Sequence, residues 1–179
     1  DRAAATGLPV LVVPDARAAL GRAASWVFGD PAGDLLLVGT TGTSGKTTVT
    51  YLVDSGLRAA GMSTGLVGTV EMKVGDERVQ SSLTTPEATD LHGLFALMRE
   101  RGVTSAAMEV SSHALALGRV GGTRYDVAVF TNLSQDHLDF HPDLRDYFET
   151  KARLFTPEYC DIAVVNADDR FGRALVDMV

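Results

Sequence analysis

The sequence has one cysteine and no long hydrophobic run, and each shortage excludes a class of protein. Cys160 is the only cysteine among the 179 residues, so an internal disulfide is excluded and a reducing compartment is favoured. No apolar stretch approaches the ~18–20 residues of a membrane-spanning helix, and the first residues lack the apolar core of a signal peptide. We therefore expect a soluble, cytoplasmic protein.

Basic residues are also scarce. Sixteen Lys and Arg side chains stand against 23 Asp and Glu, which gives a formal net charge of −7 and a pI near 5.0. The Lys and Arg residues form no stripe along the sequence, so binding to nucleic acid or to an anionic membrane is not expected. An anionic substrate would need cations and backbone N–H groups placed locally.

The first 33 residues differ in pattern from the rest. Residues 10–13 are predicted as a strand, and Asp15 is predicted to cap a short helix. The apolar positions of that helix are Ala19, Leu20, Ala23, Ala24 and Val27. Residues 29–33 are typical of a linker. One strand and one helix cannot cover their own apolar faces, so this part either joins the main sheet or belongs to a neighbouring domain.

From Asp34 onward, apolar runs alternate with helix-period segments, which predicts an α/β domain with a mostly parallel sheet and flanking helices. Four short apolar runs are predicted as strands buried on both faces: residues 35–38, 105–108, 127–131 and 162–165. Residues 66–72 and 78–83 flank the turn residues Gly75 and Asp76, which predicts a small β-hairpin.

Three helices follow from the spacing of apolar residues. The first runs from Lys46 to about Ala60, the second has Thr85 as its N-cap and Pro86 in its first position, and the third begins near Pro142. Their apolar positions are Val49, Leu52, Val53 and Leu57 in the first, Leu91, Leu94, Phe95 and Met98 in the second, and Leu144, Tyr147, Phe148, Leu154 and Phe155 in the third.

A glycine-rich turn joins the first of these strands to the first helix, the arrangement of a phosphate-binding loop. Its nucleotide-binding residues are predicted to be Gly42, Thr43, Ser44, Gly45, Lys46, Thr47 and Thr48. Lys46 would reach the phosphates and the Thr47 hydroxyl would bind Mg²⁺. The usual pattern has glycine where Thr40 stands, so a turn without a ligand is the alternative. That alternative leaves Lys46 at a helix N-terminus, where cations are disfavoured.

Three further side chains are candidate Mg²⁺ ligands beside the predicted phosphate-binding loop. Glu109 ends a predicted strand and is either a Mg²⁺ ligand or a solvated acid. Of the two histidines in residues 136–141, His137 is the candidate ligand, whereas His141 is expected to start the third helix. Lys151 lies on that helix's apolar stripe. It either snorkels to solvent or loses its proton, and a neutral amine can react with CO₂ to form a carbamate that binds Mg²⁺.

The sequence resembles the Mur ligase family. The resemblance rests on four segments in the family's order: 41–48 (TGTSGKTT), 108–115 (MEVSSHAL), 131–139 (TNLSQDHLD) and 151–155 (KARLF). The second segment, together with Thr84-Thr85-Pro86, indicates the branch that adds a diamino acid to UDP-N-acetylmuramoyl-L-alanyl-D-glutamate. Two positions depart from the common pattern: Ser44 stands where Asn is usual and Leu117 where Gln is frequent.

The resemblance implies an ATP-dependent amide ligase of peptidoglycan synthesis that works through an acyl phosphate. It implies catalytic roles for Lys46, Glu109, His137 and Lys151, and Mg²⁺ ligation by Thr47, Glu109, His137 and a carbamylated Lys151. It places Asn132 and Asn166 near ATP. It implies that the UDP-muramoyl dipeptide is bound by Thr84, Thr85, Ser111 and Arg119. The alternatives are that Thr85 only caps a helix and that Arg119 is a surface cation.

Family members have three domains, so the resemblance implies a fragment of a longer enzyme that is expected to be a monomer. Residues 1–33 would be the remnant of the N-terminal UDP-binding domain with its linker, and residues 34–179 an incomplete central ATP-binding domain. The C-terminal amino-acid-binding domain would be absent. Two alternatives remain: a related ligase such as a folylpolyglutamate synthetase or a cyanophycin-type ligase, and a nucleotide-binding module without ligase activity.

Overall fold

The structure, a computed structural model, describes residues 7–80 and 83–179. The helices are α1 (Ala16–Val27), α2 (Lys46–Ala59), α3 (Ala88–Glu100), α4 (Ser112–Ala116), α5 (Leu144–Ala152) and α6 (Arg170–Val176). The strands are β1 (Leu36–Thr41), β2 (Thr64–Val67), β3 (Met72–Val74), β4 (Glu77–Val79), β5 (Ser105–Glu109), β6 (Tyr125–Phe130) and β7 (Cys160–Val165). Short 3₁₀ turns occupy Pro31–Asp34 and Arg153–Phe155. Within these residues no helix has both the length and the apolar character to cross a membrane.

The strands form one sheet in the order β4-β3-β2-β5-β1-β6-β7. The five strands from β2 to β7 in that order pair in parallel, whereas β3 and β4 are antiparallel to their neighbours. Helix α2 packs on β1, β2 and β5. The prediction of an α/β domain with a mostly parallel sheet is confirmed.

The four predicted parallel strands are β1, β5, β6 and β7, and the prediction of burial on both faces holds least well for β7. Ile162 is 57% exposed and Val164 is 49% exposed. In the described part of the chain β7 is the last strand of the sheet, so it lacks a neighbour on one side.

The hairpin is confirmed at its turn and wrong in its first arm. Gly75 and Asp76 join β3 to β4, but the predicted arm 66–72 contains the end of β2, four residues without strand structure and the start of β3. Because β2 and β3 are antiparallel to each other, the chain reverses within residues 68–71. Of the predicted second arm, Ser81 and Ser82 lie outside the described residues.

The predicted helices form, with two corrections. In α2 the buried side chains are Thr50 and Asp54, whereas the predicted apolar position Leu52 is exposed. Asp54 tolerates burial because it accepts hydrogen bonds from Thr64 Oγ1 at 2.5 Å and Arg58 Nε at 3.1 Å. Thr85 is not the N-cap of α3, because the helix begins three residues later at Ala88. Helices α4 and α6 are absent from the predicted set.

The apolar positions of the other two predicted helices are largely confirmed. Leu91, Leu94, Phe95 and Met98 of α3, and Tyr147, Phe148, Leu154 and Phe155 in and after α5, are buried in the core, and Leu144 packs against it.

The N-terminal segment departs most from prediction. Residues 10–13 form no strand. Asp15 caps α1 as predicted, but the buried face of α1 consists of Gly21, Ala24 and Ser25 rather than the larger apolar residues. Small residues fit here because the backbone of Gly121 lies directly against Gly21. Residues 29–33 are packed rather than a free linker, since Arg99 donates to the carbonyl oxygens of Gly29 and Phe28, each at 3.0 Å.

Candidate functional site

The predicted site residues cluster at the carboxyl ends of the central strands. Thr40 in β1 is in register with Glu109, the last residue of β5, and Thr41 is in register with Phe130, the last residue of β6. The glycine-rich turn therefore leaves the sheet between two strand ends. Such a crevice is where open α/β sheets bind ligands.

Asn132 holds the glycine-rich turn in shape. Its side-chain oxygen accepts the N–H of Ser44 at 3.0 Å, its amide nitrogen donates to the Ser44 carbonyl at 3.0 Å, and its backbone carbonyl accepts the N–H of Thr43 at 2.9 Å. Gly42 and Gly45 have φ angles of +146° and +84°, which favour glycine. A Cβ on Gly42 would lie 1.9 Å from Thr131 Oγ1, so the turn needs glycine there for space as well.

Lys46 opens α2 and turns back over the loop. Its Nζ donates to the carbonyl oxygens of Gly42 and Thr43, each at 2.9 Å. Burial lowers the pKa of Lys46, and the charges of Glu109 and Asp136 oppose this shift. The ammonium group therefore lies inside the loop that is predicted to bind phosphates.

Glu109 is 1% exposed, and donors surround its carboxylate. Thr47 Oγ1 and the N–H of Thr69 both donate to Oε1 at 2.9 Å, and Thr69 Oγ1 donates to Oε2 at 3.1 Å. The interpretation of Glu109 as a solvated acid is wrong. Thr69 is absent from the predicted site residues, because the prediction makes residues 66–72 one continuous strand, whereas β2 ends at Val67 and Thr69 follows it. Recognising β2 as a parallel strand beside β5 would have placed Thr69 at this edge.

Lys151 is buried, so the snorkelling interpretation is wrong. The residue is 1% exposed. Its Nζ donates to the Gly42 carbonyl at 3.0 Å and to Thr41 Oγ1 at 3.4 Å, and it lies 4.6 Å from the centre of the Tyr147 ring. Burial, reinforced by the charge of Lys46, lowers the pKa of Lys151 to about 7. A large fraction of the amine is therefore neutral at physiological pH.

The two histidines of residues 136–141 take different positions. His141 is buried, and its Nδ1 lies 2.7 Å from Asp146 Oδ2 in the first turn of α5. It does not start this helix as expected, because α5 begins at Leu144 with Asp143 as its N-cap. His137 is partly exposed, with a positive φ of 53°. Its ring centre lies 5.0 Å from that of His113.

The predicted metal ligands are only partly assembled. Thr47 and Glu109 are in contact. Within residues 7–80 and 83–179 no group of three or more His, Cys, Asp or Glu side chains is arranged to hold a metal ion. The contacting pair nevertheless suits Mg²⁺ chemically, since hydroxyl and carboxylate oxygens are the hard ligands this ion prefers.

A cleft of about 450 Å³ is lined both by residues predicted to bind the nucleotide and by residues predicted to bind the substrate. Its walls are Thr43, Gly45, Lys46, Thr47, Thr69, Leu83, Thr84, Thr85, Glu109, Ser111, His113, Arg119 and His137. All four predicted substrate residues line it. Lys151, Asn132 and Asn166 are not among its walls.

Hydrogen bonds fix the substrate side of the cleft. Thr85 Oγ1 donates to the Glu109 carbonyl at 2.9 Å and accepts the Ser111 N–H at 3.3 Å. Thr85 therefore ties the segment before α3 to the end of β5 instead of capping α3. Arg119 has 16% of its side chain exposed and pairs with Glu87 at 2.8 Å, so its interpretation as a surface cation is wrong.

Asn166 lies beside the loop rather than in the cleft. Its side-chain nitrogen donates to the Thr131 carbonyl at 2.9 Å, and its side-chain oxygen accepts the Asp168 N–H at 3.1 Å. It thus supports the end of β6, next to the Asn132 that holds the glycine-rich turn.

Comparison with known proteins gives consistent matches. Residues 40–179 match the family described as the Mur ligase middle domain. The UDP-N-acetylmuramoyl-L-alanyl-D-glutamate–2,6-diaminopimelate ligase of Streptomyces avermitilis is 62% identical over 177 residues, which are 99% of this chain and 35% of that protein. The chain therefore spans about a third of the length of this relative.

Two solved structures share the fold. A UDP-N-acetylmuramoyl-L-alanyl-D-glutamate–2,6-diaminopimelate ligase superimposes with a TM-score of 0.81 at 31% identity, over 93% of this chain and 34% of that one. A folylpolyglutamate synthase of Mycobacterium tuberculosis, complexed with ADP and AMPPCP, gives a TM-score of 0.72 at 18% identity, over 90% of this chain and 44% of that one. At that identity, the second likeness is one of fold alone.

Proposed function

Because this chain belongs to the family of the Mur ligase middle domain, we propose that it forms the ATP-binding part of an ATP-dependent ligase of cytoplasmic peptidoglycan synthesis. The proposed reaction joins a diamino acid to UDP-N-acetylmuramoyl-L-alanyl-D-glutamate. The observation that carries the proposal is the single cleft in which Lys46, Thr47 and Glu109 face Thr84 and Arg119. The printed names of the similar ligases support 2,6-diaminopimelate as the amino acid.

The phosphates of ATP are proposed to bind residues 42–48. Lys46 would exchange its contacts with the Gly42 and Thr43 carbonyls for contacts with phosphate oxygens. The N-terminus of α2 adds partial positive charge at the same place. Asn132 and Asn166 would act by holding the loop and the strand ends that bear it, which fits their contacts with Ser44 and Thr131.

Thr47, Glu109, His137 and a carbamylated Lys151 are proposed to hold Mg²⁺. Bound at this position, Mg²⁺ would neutralise charge on the phosphoryl group during transfer. The Lys151 ammonium first loses one proton, and carbamylation then joins the neutral Nζ to the carbon of CO₂ and releases a second proton, so a cation becomes an anion. The burial of Lys151 and its lowered pKa supply the neutral amine that this step needs.

The muramoyl dipeptide is proposed to occupy the other wall, against Thr84, Thr85, Ser111 and Arg119. One of the two free carboxylates of its glutamate would attack the γ-phosphorus of ATP and expel ADP. The amine of the diamino acid would then attack the acyl carbon, forming the amide and releasing phosphate. Within this chain, Lys46 and Arg119 supply the cations that hold the two anionic reactants close together.

Calorimetric titration of the chain with ATP and Mg²⁺ tests the proposal. We expect binding that Lys46→Ala weakens at least tenfold, because the ammonium contact with the phosphates is lost. Arg145→Ala is the matched control, since Arg145 is an exposed cation that pairs with Glu149, and it should bind as the parent does. Equal affinity of the parent chain and Lys46→Ala would refute the nucleotide site. Phosphate release by the full-length protein, dependent on both the muramoyl dipeptide and a diamino acid, tests the complete reaction.

A further inference from the structure

We propose that Thr69 is a positioning residue, which fixes the Glu109 carboxylate in the orientation needed to bind Mg²⁺ with the nucleotide. This inference rests on the proposed function, because it concerns the metal-binding role given to Glu109. Thr69 has no counterpart among the predicted site residues, yet it supplies two of the three hydrogen bonds that the carboxylate receives from residues 7–80 and 83–179.

The two bonds from Thr69 reach different oxygens of one carboxylate. The backbone N–H donates to Oε1 at 2.9 Å and the hydroxyl donates to Oε2 at 3.1 Å. A carboxylate bonded through one oxygen can still rotate about its Cγ–Cδ bond, whereas bonds to both oxygens from one residue set its plane. The remaining bond, from Thr47 to Oε1, comes from another of the proposed metal ligands.

The neighbouring glycine makes this approach possible. A Cβ on Gly68 would lie 2.6 Å from Glu109 Oε1, which is closer than real Cβ contacts. The bare backbone at Gly68 therefore lets the carboxylate lie against the start of the turn that carries Thr69.

The proton of the Thr69 hydroxyl has a defined direction. The hydroxyls of Thr69 and Thr84 are 3.0 Å apart, and a hydroxyl has one proton to donate. Because an ionised carboxylate only accepts, the Thr69 proton points to Glu109 and its oxygen is left to accept from Thr84. The order Thr84, Thr69, Glu109 thus leads from the substrate wall to the proposed metal ligand.

The turn that bears Thr69 is anchored at its far end. Glu71 accepts from Tyr51 at 2.8 Å, from Lys73 at 2.7 Å and from Arg78 at 2.9 Å. Tyr51 lies on α2, one turn after Thr47, so Thr69 is held in place relative to the same helix that carries Thr47. Loss of the Thr69 hydroxyl should therefore release one carboxylate oxygen without moving the turn.

The test compares binding of ADP to the chain in Mg²⁺ and in EDTA, by calorimetry, for the parent and three variants. Thr69→Val removes the hydroxyl and keeps the N–H and the side-chain shape. We expect it to lower ADP affinity in Mg²⁺ about tenfold, the lower end of the loss seen for partners of metal ligands. Affinity in EDTA should stay within about twofold of the parent. Thr69→Ser restores the hydroxyl and should recover the Mg²⁺-dependent affinity.

Thr104→Val is the matched control, because it removes an exposed hydroxyl that bonds the Ser63 carbonyl just before the start of β5, at the opposite end of that strand. It should change neither affinity. Equal losses for Thr69→Val in Mg²⁺ and in EDTA, or no loss in Mg²⁺, would overturn the positioning role while leaving the nucleotide site standing. A parent chain that bound ADP no better in Mg²⁺ than in EDTA would overturn this inference together with the proposed metal site.

Discussion

Lys46 and Lys151 donate to the same acceptor. Nζ of Lys46 lies 2.9 Å from the Gly42 carbonyl oxygen and Nζ of Lys151 lies 3.0 Å from it, so the two nitrogens are within about 6 Å of each other. Repulsion at this distance adds to the cost of burial, and both effects lower the pKa of Lys151. A phosphate placed between the two lysines would offset their repulsion, and a carbamate on Lys151 would replace the repulsion by attraction to Lys46.

The first prediction concerns stability and pH. Folding lowers the pKa of Lys151 from 10.5 to about 7, so the unfolded chain binds more protons between these values and the Lys151 contribution to stability rises with pH across that window. Lys151→Met should therefore raise the free energy of unfolding, and by more at pH 6.5 than at pH 9.5. One pKa unit corresponds to about 1.4 kcal/mol, so the gain in the free energy of unfolding at pH 6.5 should exceed the gain at pH 9.5 by a few kcal/mol.

Urea unfolding in buffer depleted of CO₂ measures this difference, because carbamylation is then suppressed and the other titrating groups are common to both proteins. A gain that was the same at both pH values would show that Lys151 is not held with a lowered pKa.

The second prediction concerns the carbamate itself. In buffer containing ¹³C-bicarbonate, the chain should show a ¹³C NMR carbamate signal that is absent from Lys151→Arg, whose guanidinium stays protonated. The signal should fall as pH drops below about 7, because protonation removes the reactive amine. Lys73→Arg is the control, since Lys73 is more exposed and pairs with Glu71. A signal that survived in Lys151→Arg would assign the carbamate elsewhere.

The third prediction compares the two glycines of the loop. Both have positive φ angles. Gly45 is in the left-handed conformation, where alanine costs about 1–2 kcal/mol, and the φ of Gly42 is one that residues with a side chain rarely adopt. Only Gly42→Ala also meets a neighbour, Thr131 Oγ1 at 1.9 Å, whereas nothing lies within 4 Å of a Cβ on Gly45. Gly42→Ala should cost more than about 3 kcal/mol in urea unfolding and Gly45→Ala no more than about 2. Equal costs would mean that the packing of Thr131 against Gly42 contributes nothing.

The fourth prediction tests how α1 docks. A Cβ on Gly21 would lie 2.2 Å from the Gly121 carbonyl oxygen, so Gly21→Ala should destabilise the chain by about 1–3 kcal/mol despite the better helix propensity of alanine. Gly56→Ala in α2 is the matched control, because its Cβ would meet no atom within 4 Å, and it should stabilise by up to about 1 kcal/mol. The same gain at both sites would argue against the close approach of α1 to residues 121–122.

The glycine-rich turn that is proposed to bind phosphates could be located from sequence because every part of its signal is local. A strand, a glycine-rich turn and a helix follow each other within residues 36–59, and the conformations of Gly42 and Gly45 are properties of those residues. The burial of Lys151 was harder to predict, since a lysine on an apolar stripe can either be buried or extend its ammonium group to solvent. The outcome depends on whether Thr41 and Gly42, more than a hundred residues away, offer acceptors to Nζ.

By itself the sequence determined the parallel strands β1, β5, β6 and β7, the helices α2, α3 and α5 between them, the glycine-rich turn and the family, because periodicity and short motifs are encoded in neighbouring residues. Only the tertiary structure decided that β2 is a parallel strand beside β5, that Thr69 therefore reaches Glu109, and that Gly21 and Gly121 touch. These contacts join segments that are 40 to 100 residues apart. They depend on strand order and close packing, which no local pattern in the chain records.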